Sequence, residues 1–201
     1  MNSITYKSVA EQKNELRKRA RLARNAIDEK TIIEISELIC ESIASLPEFT
    51  EADALFCYSA LRGEIQTDSL VNIARSRGKA VAFPKCREGG KMDFMLVRDA
   101  HDMSVGAFGI IEPKDSCKTV HPLNFDRVLC ILPGLVFGKD GHRIGYGKGF
   151  YDRYFENKTD GVTLLGICPH VLVEDFVPHG EFDVRADIIV SEKEVVRIEK
   201  A

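Results

Sequence analysis

Several recognisable patterns are missing from this chain. Its six cysteines, at 40, 57, 86, 117, 130 and 168, include no CxxC pair. That removes the usual starting cluster for a zinc site and, at 201 residues, argues against a secreted disulfide framework. No run of about 18 apolar residues occurs, and the opening stretch MNSITYKSVAEQKNELRKRARLARNA has no apolar signal-peptide core. No membrane span or association is therefore expected, and the expected location is cytoplasmic. Opposite charges nearly balance, 28 Lys and Arg against 31 Asp and Glu, for a net charge of -3. That balance argues against a general nucleic-acid-binding surface. The five histidines form no HxxxH or triad-like pattern, and GxSxG, GxxxxGK[ST] and GxGxxG are all absent.

What is present reads as an ordinary globular protein, with 44% hydrophobic and 29% charged residues and no internal repeat. One domain spanning 1–201 is expected, large enough to bury a core without staples. Ser8 with Glu11 resembles a capping box, and the Leu16, Ala20, Ala23 and Ile27 spacing predicts a helix from about 9 to 26. Asp28 starts a second, whose Ile32, Ile35, Ile39 and Ile43 form one stripe ending before Pro47. Strand-like runs follow at 54–60, 79–85, 92–97, 128–133, 163–168 and 186–191. A helical segment between the first two makes a βαβ unit. Several runs are apolar on both faces, which predicts a three-layer α/β fold with a largely parallel sheet flanked by helices. Cys57, Cys130 and Cys168 sit inside these runs as small buried hydrophobes. The stretch from Arg98 to Asn124 reads as loops.

The densest chemistry lies in LPGLVFGKDGHRIGYGKGFYDRYF, 132–155. Gly145, Gly147 and Gly149 alternate with Tyr146 and Lys148 between a strand and a helix start, with Arg143 and Asp152 alongside. Glycines let backbone N–H groups approach an anion closely, so phosphate is one candidate ligand and a plain glycine-rich connection is the alternative. Lys13 and Arg17 share a helix face, either for phosphate or as a solvated basic stripe. Glu64 and Glu112 lie in loops where either a functional or a structural role is open. Asp152 can bind Mg²⁺ or cap its helix, and Asp183 or Asp187 can be a second ligand or a turn residue. Phe150 and Tyr154 suit the core face of a helix, and Tyr146 the wall of a pocket for a flat heterocycle.

These residues resemble the signature of the 5-formyltetrahydrofolate cyclo-ligase family, whose pattern runs PGLxFD, G, RLG, GxGYYDR. Ile144 and Phe150 are conservative departures, and Gly138 stands where the family has Asp. KNELRKR at 13–19, GEIQT at 63–67, VAFPK at 81–85, MDF at 92–94, GIIEP at 109–113 and FDVRAD at 182–187 extend the resemblance over nearly the whole chain. The segment CPHVLVEDFVPHGEFD departs from it, lacking the family's glutamine. The resemblance implies a fold similar to the NagB, ribose-5-phosphate isomerase and CoA-transferase group. It implies a monomeric enzyme whose partners are small molecules: ATP and Mg²⁺ drive the conversion of 5-formyltetrahydrofolate to 5,10-methenyltetrahydrofolate. It further implies ATP contacts from Lys13, Arg17, Arg143, Gly145, Tyr146, Gly147, Lys148, Gly149, Phe150 and Tyr151, with Lys148 and Arg143 catalytic. Substrate contacts fall on Glu64, Phe108, Tyr146, Phe150 and Tyr151, and metal contacts on Asp152 and Asp183. A non-catalytic phosphate-ligand sensor and a sugar-phosphate isomerase or CoA transferase on a related sheet are the alternatives.

Overall fold

In the computed structural model, residues 7–106 and 109–199 are described. α1 (Val9–Asn25) begins with the capping box: the Ser8 hydroxyl accepts the Glu11 N–H, and the Glu11 carboxylate accepts the Ser8 N–H. α2 (Glu29–Ser45) is capped by Asp28, whose carboxylate accepts the Thr31 N–H at 2.9 Å. A short α3 (Pro47–Glu51) leads into β1 (Ala54–Phe56), α4 (Asp68–Ser76) and β2 (Ala80–Cys86). β3 (Met92–Leu96), β4 (Met103–Val105), β5 (Ile111–Pro113), β6 (Thr119–Val120) and β7 (Val128–Leu132) follow. The last third comprises β8 (Val136–Gly138), β9 (Arg143–Ile144), α5 (Phe150–Tyr154), β10 (Val162–Ile167), β11 (Val173–Glu174), β12 (Ile188–Val190) and β13 (Val195–Arg197).

Among the described residues the main sheet has eight strands, in the order β13-β12-β10-β7-β1-β2-β3-β6. The five from β12 to β2 pair in parallel, while β13, β3 and β6 add antiparallel edges. Period-2 alternation splits each central strand between two cores. Ala54, Phe56, Val128, Cys130 and Leu132 pack with Leu16 and Ala20 of α1 and Tyr151 of α5. Leu55, Cys57, Leu129 and Ile131 pack with Ile39 and Ile43 of α2 and Leu70 of α4. Helices thus cover both faces, which gives the expected three layers and explains strands without polar alternation. Fully burying a side chain such as Phe56 is worth about 1.5–3 kcal/mol, and the chain has many such residues.

Differences from the sequence-based expectation concern short elements. β1 ends at Phe56 instead of continuing to 60, because the next residues form a loop stitched by side chains. Tyr58 donates its hydroxyl to the Ile65 carbonyl, and Thr67 donates to the Tyr58 carbonyl. The 98–124 stretch is not only loop: β4 pairs antiparallel with β5, and β6 joins the sheet edge. A second sheet, β11-β8-β9, grows from the glycine-rich signature and carries Arg143. α5 has only five residues. Tyr151, Tyr154 and Phe155 all meet the Phe94 ring, but the next positions on that face, Lys158 and Thr159, are polar and do not extend it.

Candidate active site

A cleft of about 550 Å³ opens outside the carboxyl ends of the central parallel strands. Tyr58 and Ser59 beyond β1, Pro84 and Cys86 in the last part of β2, and Pro133 after β7 line it. Open α/β sheets place ligands at this end, because loops from several strands converge there while the strands hold them rigid.

The glycine loop forms one wall. Gly147 (φ 93°) and Gly149 (φ 66°) both occupy the left-handed region, where any β-carbon is penalised. Two loop carbonyls are tied away: Arg17 Nε donates to Gly145 O at 2.9 Å, and Arg153 Nη2 to Lys148 O at 2.7 Å. Those two oxygens are thereby occupied, while Gly145, Gly147, Gly149 and Lys148 line the cleft. A helix as short as α5 contributes little macrodipole, so charge here comes from side chains.

Cations and carboxylates meet across this wall. Lys13 of α1 forms an ion pair with Asp183, although the two are far apart in sequence. Arg143 is almost buried, 9% exposed; its Nη2 lies 2.9 Å from Asp152 Oδ1 and its Nη1 donates to the Val184 carbonyl at 3.1 Å. The same Asp152 oxygen accepts the Val184 N–H at 3.2 Å, which joins α5 to the segment carrying Asp183. Burial opposes the Asp183 charge, but the Gly180 N–H and the Lys13 ammonium outweigh it and hold that carboxyl below the usual carboxylate value. Arg143 Nε and the Tyr151 hydroxyl are buried beside the cleft without a hydrogen-bond partner among the described residues. Burying such groups unpaired costs free energy, which is recovered when a ligand supplies acceptors.

Opposite lies Glu64, 7% exposed, whose carboxylate accepts the Leu61 N–H at 2.7 Å and the Tyr146 hydroxyl. Arg24 Nη1 donates to that hydroxyl and sits 3.8 Å from Glu64 Oε1, and its guanidinium lies 5.6 Å from the Tyr146 ring centre. Burial first, and the Glu64 charge second, push the Tyr146 phenol far above its ordinary value, so it stays protonated and remains a donor.

The cleft thus gathers Lys13, Arg17, Glu64, Arg143, Gly145, Tyr146, Gly147, Lys148, Gly149, Phe150, Tyr151, Asp152 and Asp183. Phe108 lies outside the described residues. Asp187 is not among the lining groups; it pairs with Lys158 at 2.6 Å and accepts the Leu164 N–H at 2.7 Å, a structural role between β12 and β10. Asp152 does not cap α5, whose N-cap is Gly149. Sequence reasoning did not single out Arg24, yet at 100° per residue Lys13, Arg17 and Arg24 fall within roughly 40° of one another, whereas Lys18 and Arg21 fall outside that arc and are exposed. Nor did it place Glu112 in the cleft, where the residue is buried and accepts the Cys86 N–H at 3.3 Å. The clue was a carboxylate within the apolar GIIEP.

The sequence pattern of the 5-formyltetrahydrofolate cyclo-ligase family matches residues 9–192. A probable 5-formyltetrahydrofolate cyclo-ligase of Schizosaccharomyces pombe is 27% identical over 193 residues, covering 88% of this chain and 91% of that one. The 5-formyltetrahydrofolate cyclo-ligase of Haemophilus influenzae is 30% identical over 156 residues, covering 76% and 83% respectively. Among solved structures, a 5,10-methenyltetrahydrofolate synthetase of Aquifex aeolicus superposes with a TM-score of 0.80 at 31% identity, over 94% of each chain. That of Mycoplasma pneumoniae shares the fold, with a TM-score of 0.71 at 23% identity over 90% of this chain and 98% of the other. With its glycine loop, basic helix face and strand-end cleft in this setting, the chain belongs to the 5-formyltetrahydrofolate cyclo-ligase family.

Proposed function

We infer that the chain uses ATP to close 5-formyltetrahydrofolate into 5,10-methenyltetrahydrofolate, with release of ADP and phosphate. The convergence of four cations, Lys13, Arg17, Arg143 and Lys148, on one strand-end cleft in a member of this family carries the inference. A formamide oxygen is a poor leaving group, so ring closure needs it activated. Transfer of the γ-phosphoryl to that oxygen breaks the β–γ bridge and releases ADP. The N10 lone pair then attacks the formyl carbon, N10 gives up its proton, and phosphate departs with the former formyl oxygen. Such a transfer is mainly positioning and charge stabilisation.

The side chains divide accordingly. Lys148 and Arg143 face the transferring phosphoryl group, Arg143 with a planar fork and Lys148 with a point charge. Lys13 and Arg17 hold the remaining phosphates with the N–H groups of Gly145, Gly147 and Gly149. Tyr146, Phe150 and Tyr151 give flat apolar contact, and Glu64 accepts N–H groups of the pterin or the N10 side. Asp152 and Asp183 fit Mg²⁺, being hard oxygen donors on the cleft wall. Each is paired to a cation that suits phosphate equally well, so ATP entry would let Arg143 and Lys13 exchange carboxylate for phosphate oxygen. When bound, Mg²⁺ supplies neutralising charge to the phosphate oxygens.

Protein mixed with ATP, MgCl₂ and 5-formyltetrahydrofolate should generate the absorbance of the methenyl chromophore, and should not do so when ATP is omitted. Absence of the chromophore from the complete mixture would refute the assignment.

A further inference from the structure

Away from the cleft lining, the turn between β8 and β9 and the 177–180 segment bring Asp140, His142 and His179 together. One ligand atom from each lies within 4.8 Å of the others. The two imidazoles stack with ring centres 3.5 Å apart and planes 5° apart. His142 Nδ1 is 3.2 Å and His179 Nδ1 3.8 Å from the same oxygen, Asp140 Oδ2. All three side chains are partly buried, and none lines the cleft.

The surroundings hold this arrangement in place. Asp140 accepts the His142 N–H at 3.2 Å and the Val177 N–H at 3.4 Å. A β-carbon at Gly138 would stand 2.1 Å from Asp140 Oδ1, so that glycine is what admits the carboxylate. The Val177 carbonyl can only accept, so His179 Nδ1 donates to it at 3.0 Å, which leaves Nε2 with its lone pair. A ring N–H held by a backbone carbonyl is the usual support of a metal-binding histidine.

We propose that Asp140, His142 and His179 form a binding site for a divalent transition metal ion of the Zn²⁺ type, with a further position left to water. Two imidazoles and one carboxylate suit Zn²⁺ and disfavour Mg²⁺, which prefers oxygen alone. Ligand atoms around tetrahedral Zn²⁺ lie roughly 3.3 Å apart, so from a cluster gathered within 4.8 Å the two stacked imidazoles would turn their ring nitrogens toward a common point on binding. Arg185, whose Nε donates to the Asp140 carbonyl at 2.7 Å, opposes a dication and tempers the affinity. Because His142 adjoins Arg143 and His179 lies on the segment leading to Asp183, the ion would clasp the two strips of chain that feed the cleft, without touching the reactants.

Zn²⁺ titrated calorimetrically into full-length, chelator-stripped protein with Mg²⁺ in excess should bind at one ion per chain and raise the unfolding midpoint. His142→Ala/His179→Ala should keep its circular dichroism and lose affinity at least about tenfold, the scale of losing support at a metal site. His179 is a third exposed, so His179→Gln serves as the second variant if the double one does not fold. Absence of stoichiometric binding, or equal binding by wild type and the folded variant, as adventitious capture by the cysteines would give, overturns the proposal.

Discussion

Replacing Arg143 by alanine removes the most buried cation of the cleft and separates two losses. The first is structural: Asp152 loses its 2.9 Å partner and Val184 O a donor. Because the Asp152 side chain is 25% exposed, water re-solvates much of its charge, and the destabilisation should be about 1–3 kcal/mol rather than the larger cost of a sealed ion pair. The second is catalytic, since a positioned donor aimed at developing charge is worth roughly 3–4 kcal/mol, or about 100- to 1000-fold in rate. Arg143→Lys keeps the charge without the fork, so it should recover more stability than rate. The assay is methenyl formation at saturating ATP, beside thermal unfolding of each variant. A folded Arg143→Ala protein whose kcat/KM stays within about twofold of wild type would refute a role for this cation in phosphoryl transfer.

Other expectations can be checked with the same tools. Lys148 is exposed on the loop, so Lys148→Ala should leave the fold intact and slow phosphoryl transfer by several kcal/mol equivalent; wild-type turnover would end its assignment. Asp152→Asn should shift the Mg²⁺ dependence of turnover to higher concentration, and an unchanged titration would count against Asp152 as a ligand. Burial, reinforced by His179 and Arg185 against the pull of Asp140, holds the His142 imidazole below its ordinary value of 6.5. Between that lowered value and 6.5 the unfolded chain binds more protons than the folded one, so stability rises with pH there. Melting scans in chelator should show this contribution complete above about pH 6.5 and lost as pH falls through the lower value; an identical pH profile for His142→Asn would contradict it.

Long, strongly patterned elements were readable in advance. The Ser8 and Asp28 caps and the isoleucine stripe of α2 are local signals, and strands apolar on both faces announced a covered parallel sheet. The two- and three-residue strands β8, β9, β11 and β13 were not readable, because so few residues carry no period. Their pairing is decided by tertiary contacts. In the site, the glycine loop and the basic helix suggested phosphate, but only the fold brings Lys13 to Asp183 and Glu64 to Tyr146. Carboxylates read as metal ligands from residue type turn out to be held by the cations read as phosphate ligands. Arg24 was hidden among neighbouring basic residues until the helical angle separated it from those facing solvent.

The formyl oxygen reports most directly on how ATP is used. With 5-formyltetrahydrofolate labelled by ¹⁸O in the formyl group, transfer of the γ-phosphoryl to that oxygen requires the label to leave in inorganic phosphate, one atom for each methenyl product formed. Mass spectrometry of the released phosphate reads this out. Label found in water, with unlabelled phosphate accompanying product, would contradict activation of the formyl oxygen by phosphorylation.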